Sequence, residues 1–94
     1  MMNDLSGFQR DLLYVMAGLD KPSGQQIKGE LESYLDSEVN HGRLYPNLDV
    51  LVEKEYVEKG AIDRRTNYYD ITESGKELLK QRREWEDQYF TASA

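Results

Sequence analysis

The chain has 94 residues, a net charge of −6 and no cysteine, which suits one domain with a modest core and excludes disulfides and thiolate metal sites. Its 38% hydrophobic and 32% charged residues are typical of a folded domain rather than a disordered segment. The sequence lacks an apolar run near the roughly 20 residues of a membrane span and lacks a signal-peptide pattern, so we expect a cytoplasmic protein.

The acidic charge is unevenly distributed along the chain. A negative net charge argues against nucleic acid as a partner, because phosphate binding normally needs a basic surface. Residues 39–48, however, contain Arg43 and no acidic residue, and residues 59–69 have a net charge of +2. These segments predict a small basic face on an acidic body. A cytoplasm of very high salt favours such an acidic surface by screening its self-repulsion, and an ordinary acidic protein is the alternative.

Two amphipathic helices are predicted before residue 37. The first covers about residues 5–19, begins with a capping box of Ser6 and Gln9, and ends before Pro22. Its apolar stripe consists of Phe8, Leu12, Leu13, Met16 and Leu19. A second capping signal, Ser23 with Gln26, starts a helix that runs to about Asp36. The apolar residues of this second helix are Ile27, Leu31, Tyr34 and Leu35.

The third helix is predicted over about residues 42–54. Pro46 favours a start near Gly42, because a missing N–H matters least in the first turn of a helix. We expect four residues of this helix to be buried: Leu44, Leu48, Leu51 and Val52.

A β-hairpin and a last helix complete the predicted fold. The strands cover about residues 56–59 and 67–71, with Gly60 to Thr66 as the loop. Thr72 is predicted to cap a helix from Glu73 to about Phe90, followed by a loose tail over 91–94. The fold is mainly α with a small β-hairpin (α+β), in the order α-α-α-β-β-α. We predict that residues 1–94 form one winged helix-turn-helix domain whose last helix serves dimerisation.

Several motifs resemble those of PadR-like transcriptional regulators. Residues 42–48 resemble the Leu-Tyr-Pro-x-Leu signature of that family, and residues 68–75 resemble its Tyr-Tyr-x-Leu-Thr-x-x-Gly ending. Further similarity lies in residues 12–19, 23–27 and 51–57, so that the resemblance covers about residues 5–85. With its acidic balance the chain resembles a haloarchaeal member. The resemblance implies a regulator of transcription that binds double-stranded DNA as a homodimer.

The chain departs from the family pattern in two places. Glu55 stands where the family has a glycine after the third helix, and a side chain in the left-handed conformation costs ~1 kcal/mol. The third helix is therefore expected either to carry that cost or to end differently. Many family members also have a long C-terminal helical domain, whereas this sequence stops after one helix, so ligand sensing by such a domain is not expected here. With no cysteine, one histidine and no sequence mark of a small-molecule pocket, we predict no cofactor, no metal and no small-molecule ligand.

The third helix supplies the main candidates for contact with DNA. Because Asp49 and Glu53 would repel phosphate, only its first two turns are expected to enter the major groove. Arg43 is the candidate base contact, since its planar fork matches guanine O6 and N7. The alternatives are that Tyr45 packs against the second helix and that His41 is a solvated cap. The candidates on or beside this helix are Asn40, His41, Arg43, Tyr45 and Asn47.

Two other segments are expected to support binding. Arg64 and Arg65 at the hairpin tip, with Thr66 and Asn67 beside them, are predicted to follow the adjacent backbone or enter the minor groove, with a solvated turn as the alternative. The first turn of the second helix favours a phosphate through its N–H groups, with plain helix capping as the alternative. The candidates there are Ser23, Gln25, Gln26 and Lys28.

A stripe of aromatic and aliphatic residues predicts the dimer interface, in which the last helix packs on the first helix of a second copy. A single-chain core is the alternative. Twofold symmetry predicts a palindromic operator, with recognition helices ~34–36 Å apart. The predicted interface residues are Phe8, Leu12, Leu78, Leu79, Trp85, Tyr89 and Phe90.

The sequence does not indicate an enzyme. His41 is the single histidine, it has no predicted nucleophile beside it, and the chain lacks a glycine-rich phosphate loop. The main rival hypothesis is a winged-helix module that contacts proteins without reading DNA, since a fold does not determine function.

Overall fold

The computed structural model describes residues 4–90, so the predicted tail at 91–94 lies outside the described residues. Four helices and a two-stranded antiparallel hairpin form a winged helix, which confirms the predicted fold class and order. Among residues 4–90 we find no helix with the length and apolar character needed to cross a membrane. The elements are α1 (Gly7–Gly18), α2 (Gly24–Leu35), α3 (His41–Glu53), β1 (Val57–Ala61), β2 (Asn67–Ile71) and α4 (Glu73–Asp87).

Local capping fixes where the first three helices begin. In α1 the Ser6 hydroxyl accepts from the Gln9 backbone N–H, and the Gln9 side-chain oxygen Oε1 accepts from the Ser6 backbone N–H. Ser23 and Gln26 form the same reciprocal pair at the start of α2. Asn40 caps α3 by accepting from the Arg43 N–H at 2.8 Å. These side chains satisfy N–H groups that lack partners within the helix.

Helix α3 ends in the conformation that the family pattern requires, with glutamate in place of glycine. Glu55 has φ 66°, in the left-handed region. The Glu55 N–H donates to the Val52 carbonyl oxygen and the Tyr56 N–H donates to the Leu51 carbonyl oxygen, which together form a Schellman motif. The chain thus turns sharply into β1 and carries the steric cost of a side chain at this position.

The core lies between the three N-terminal helices, the hairpin and the start of α4. Tyr69 is buried and Tyr68 is only partly so, because successive side chains of a strand point to opposite faces. Val52, predicted to be buried, is only partly buried, and the predicted apolar face of α2 is not buried over its last turn, where Tyr34 is 82% and Leu35 39% exposed. The largest fully buried side chains are Leu12, Leu13, Met16, Ile27, Leu31, Leu44, Leu48, Leu51 and Pro22.

The hairpin differs slightly from its prediction. Strand β1 begins at Val57 and continues to Ala61, which pairs with Asn67, so the loop shortens to residues 62–66. Gly60 pairs with Tyr68, whose ring lies over the glycine and leaves no room for a side chain there.

Candidate nucleic-acid interface

The start of α2 is attached to the hairpin. The Tyr69 N–H donates to the Pro22 carbonyl oxygen at 2.8 Å, and Ser23 forms an isolated β-bridge with Tyr68. The Lys21 ammonium lies 5.4 Å from the centre of the Tyr68 ring. Backbone hydrogen bonds thus fix strand β2 to the N-terminal end of α2.

The same end of α2 packs against the first turns of α3. A Cβ on Gly24 would lie 2.6 Å from the Tyr45 hydroxyl oxygen, so the tyrosine ring needs a glycine here. The Gln25 amide nitrogen lies 3.4 Å from Nε2 of His41, whose ring meets Tyr45 edge-on with 5.6 Å between centres. The contact that the structure shows for Tyr45 is therefore the alternative noted above, packing against α2. The N-terminal end of α2 holds both the hairpin and α3.

Three exposed arginines occupy the predicted contact surfaces. Among residues 4–90 no carboxylate lies within 4.0 Å of the guanidinium group of Arg43, Arg64 or Arg65. The Arg43 guanidinium instead lies 3.9 Å from the centre of the Phe8 ring in α1. These charges therefore keep their hydrogen-bond donors available to an external anion.

Asn47 has a fixed orientation on α3. Its amide nitrogen donates to the Arg43 carbonyl oxygen at 2.8 Å, and its carbonyl oxygen accepts from the Gln9 amide at 2.9 Å. Because an amide has two donors and two acceptor sites, Asn47 keeps one of each for another partner.

The hairpin tip is an ordered turn around Asp63. Its carboxylate accepts from the N–H groups of Arg65 and Thr66 at 2.9 and 3.0 Å, and the Ile62 N–H donates to the Thr66 carbonyl oxygen. The Arg65 N–H, followed by Thr66, lowers the pKa of Asp63 by stabilising its carboxylate. The acidic group at the tip therefore organises the turn that presents Arg64 and Arg65.

The other predicted contacts have separate local partners. Ser23 and Gln26 form the capping box of α2, which was the alternative for those residues. Lys28 pairs with Glu32 at 2.8 Å, one turn further along α2. Asn67 is exposed at the start of β2 and Thr66 is partly buried. The structure thus does not bring Lys28 to the tip of α3, because the i, i+4 carboxylate holds its ammonium.

Glu32 also joins α2 to the segment before α3. Its carboxylate accepts from the Val39 N–H at 2.9 Å. The hydrogen bond from Lys28, and after it the Val39 N–H, lowers the pKa of Glu32 below its ordinary range.

Lys21 is a cation near the interface that the sequence analysis missed. It is exposed, has φ 46°, and has no carboxylate within 4.0 Å among the described residues. Its place directly before Pro22 and the Ser23 cap was the available signal, because a residue next to a helix N-terminus lies beside its N–H groups.

The predicted dimer residues divide into two groups. Leu12, Leu78 and Leu79 fill the core of their own chain, because α4 packs against α1, and they have almost no surface to offer a second copy. At the end of α4, Trp85, Tyr89 and Phe90 are 49%, 74% and 77% exposed.

These three aromatic residues and Tyr14 of α1 line one groove, which we call the C-terminal aromatic surface. Burial and then the Glu86 carboxylate raise the pKa of Tyr14. The Trp85 and Tyr89 ring centres lie 5.3 Å apart. Phe8, by contrast, contacts Arg43.

Comparison with known proteins identifies the class. The model of the PadR-like family of transcriptional regulators matches residues 12–81, and the chain belongs to that family. The prediction that it is a regulator and not an enzyme is thereby confirmed.

Among solved structures, the chain is similar to RosR of the haloarchaeon H. salinarum. The identity is 46%, the TM-score is 0.92, and the match covers 100% of this chain and 84% of RosR. The hsRosR–S1 complex gives 47% identity and a TM-score of 0.90 over 96% of this chain and 80% of that one. The winged-helix DNA-binding protein F93 from STIV shares the fold at 17% identity, with a TM-score of 0.70 over 90% and 88%. No protein of curated function matches significantly.

Proposed function

We propose that this chain is a sequence-specific regulator of transcription that binds double-stranded DNA as a homodimer in the cytoplasm. The first two turns of α3 enter the major groove, and the hairpin loop at 62–66 contacts the adjacent backbone or the minor groove. The basic end of an acidic chain meets the phosphates, and Arg43 reads a base edge.

One observation carries this proposal. The exposed arginines of α3 and the hairpin tip have no carboxylate partner within 4.0 Å among residues 4–90, although the chain has a net charge of −6. Arg10, Lys21, Lys80 and Arg83 also lack a carboxylate within 4.0 Å among these residues, so what distinguishes the three arginines is their place at the tip of α3 and of the hairpin. Arginines without such partners are suited to phosphates and base edges. The attachment of both segments to the start of α2 supports their acting on one ligand.

The dimer part of the proposal rests on the C-terminal aromatic surface. Isolated exposed aromatic residues are common, but several that line one groove indicate an interaction surface. We propose that it packs against α1 and α4 of a second copy about a twofold axis. Such a dimer would place two copies of α3 ~34–36 Å apart, on successive major-groove faces of a palindromic operator.

Binding by arginine variants tests the proposal. A randomised duplex library selects the preferred sequence of the parent protein, and fluorescence anisotropy then measures affinity for that duplex and its single-base-pair variants. Arg43→Ala should lose ~1–3 kcal/mol of discrimination at one base pair, whereas Arg65→Ala should weaken binding to all duplexes alike. If both variants bind as the parent does, the protein-contact module becomes the better hypothesis.

The salt dependence gives a second test. Few basic residues lie on the proposed contact surface, so the slope of log affinity against log salt should be shallow. A protein adapted to high salt should also retain binding at molar salt. A collapse of binding below ~0.2 M salt would contradict that adaptation.

A further inference from the structure

The first turn of α1 makes two side-chain contacts with the DNA-facing part of α3. The Phe8 ring lies 3.9 Å below the Arg43 guanidinium, and the Gln9 amide donates to Asn47 at 2.9 Å. We infer that Phe8 and Gln9 are positioning residues that set the sequence preference of the protein through Arg43 and Asn47. This inference rests on the proposed function.

The geometry at Phe8 suits such a role. An arginine stacked on an aromatic face is attracted by the ring, while its N–H donors lie in the guanidinium plane and stay available. The stacked arginine also loses less side-chain entropy on binding a base edge than a freely rotating one. Phe8 is partly buried, so its ring is itself held in place.

The contact at Gln9 fixes a second recognition side chain. The Gln9 side-chain oxygen Oε1 accepts from the Ser6 backbone N–H, which directs the Gln9 side-chain nitrogen towards α3. That nitrogen donates to the Asn47 oxygen, and the Asn47 nitrogen donates to the Arg43 carbonyl oxygen. The capping box of α1 therefore fixes the orientation of the Asn47 amide. That orientation determines which base edge Asn47 can pair with.

The test for Phe8 measures base discrimination in a double-mutant cycle. The probes are the duplex selected by the parent protein and its single-base-pair variants, at constant salt. Phe8→Leu should reduce discrimination at the base pair read by Arg43 by about two- to fivefold, and Phe8→Tyr should restore it. In the Arg43→Ala background Phe8→Leu should have no further effect on discrimination. An equal effect of Phe8→Leu in both backgrounds, or none in the parent, would overturn the inference for Phe8.

Nuclear magnetic resonance of the free protein tests the stacking itself. The Arg43 Nε–Hε signal should carry the ring-current shift of Phe8, and Phe8→Leu should remove that shift. An unchanged signal contradicts the stacked geometry. This measurement does not depend on DNA, so it remains decisive where Phe8→Leu lowers affinity through a general loss of stability.

Gln9→Glu tests the second contact without removing the helix cap. Glutamate still accepts from the Ser6 N–H but cannot donate to Asn47, so the present contact between the two side chains is lost. Reversal of the Asn47 amide would also end its donation to the Arg43 carbonyl oxygen, so Asn47 either reverses or turns away from Gln9, and both change the groups that it offers to DNA. We expect altered preference at the base pair read by Asn47 in the parent and no change of preference in the Asn47→Ala background. If Gln9→Glu instead weakens binding to all duplexes equally in both backgrounds, the added negative charge explains the effect. That result would overturn the inference for Gln9. If Arg43→Ala itself leaves binding unchanged, it is the proposed function that fails.

Discussion

The tip of α3 with its hairpin and the C-terminal aromatic surface expose opposite kinds of group. At the first region the aromatic rings are covered: Tyr45 packs on Gly24, Phe8 lies under Arg43, and Tyr68 lies over Gly60. Its arginines lack carboxylate partners among the described residues.

At the end of α4 three aromatic rings are exposed and one ion pair is formed. Arg82 bonds Glu86 at 3.0 Å, while its guanidinium lies 4.6 Å from the Trp85 ring. The comparison shows that the two regions are suited to different kinds of partner. A surface with exposed unpaired arginines and partly buried rings suits an anion, and a surface with several exposed rings in one groove suits another protein surface.

The largest expected effect comes from breaking the aromatic region. Trp85→Glu places a carboxylate beside Glu86 and Asp87, so we expect sedimentation equilibrium to show a monomer for this variant and the proposed dimer for the parent. Loss of the second binding domain should lower affinity for a palindromic duplex by on the order of 100-fold. Tyr34→Glu, at another exposed aromatic residue, is the matched control and should leave the oligomeric state unchanged. If the Trp85→Glu protein is still a dimer, the C-terminal aromatic surface is not the dimer interface.

The next effect concerns how the α3 tip is held. Gly24→Ala would force the Tyr45 ring to move, and we expect a loss of about 1–3 kcal/mol in the free energy of unfolding, with weaker binding to DNA. Gly29→Ala in the same helix has nothing within 4 Å of the added Cβ and should stabilise the chain by about 0.5–1 kcal/mol. Urea unfolding of both variants checks this. Equal stabilities for the two would show that Tyr45 adjusts without cost.

The sequence predicted the elements better than the contacts between them. Capping pairs and leucine spacing are local signals, and so the helix starts, the element order and the leucine core were correct. The contact of Gln9 with Asn47 joins residues 38 positions apart, which periodicity cannot reveal. The i, i+4 spacing of Lys28 and Glu32 is a local signal for the observed ion pair, and it competes with the predicted contact of Lys28 with DNA. Tyr34 and Leu35 continue the apolar spacing of α2 but are exposed, because helical spacing does not show where the core stops.

Glu55 allows a test of the turn that connects α3 to the hairpin. Glu55→Gly removes the side chain from a left-handed residue, and we expect the free energy of unfolding to rise by about 1 kcal/mol, reduced in part by the entropy of the unfolded glycine. Glu53→Gly, two residues earlier at the end of α3, should instead lower stability. Thermal unfolding measures both. A destabilised Glu55→Gly protein would mean that the glutamate makes a compensating contact.

The smallest expected effect concerns Lys28, a predicted DNA contact that the structure pairs with Glu32. Because the pKa of Glu32 is lower in the folded chain, first through Lys28 and then through Val39, its contacts stabilise the fold above the unfolded pKa. That stabilisation is lost as the pH falls through the lowered folded pKa. We therefore expect Glu32→Gln to lower the melting temperature slightly at pH ~7 and to match the parent more closely towards pH ~3. Glu30→Gln, an exposed neighbour on α2, should show no such trend. If the difference in melting temperature between the parent and Glu32→Gln does not change with pH, the ion pair is not its cause. Lys28 would then be available for contact with DNA.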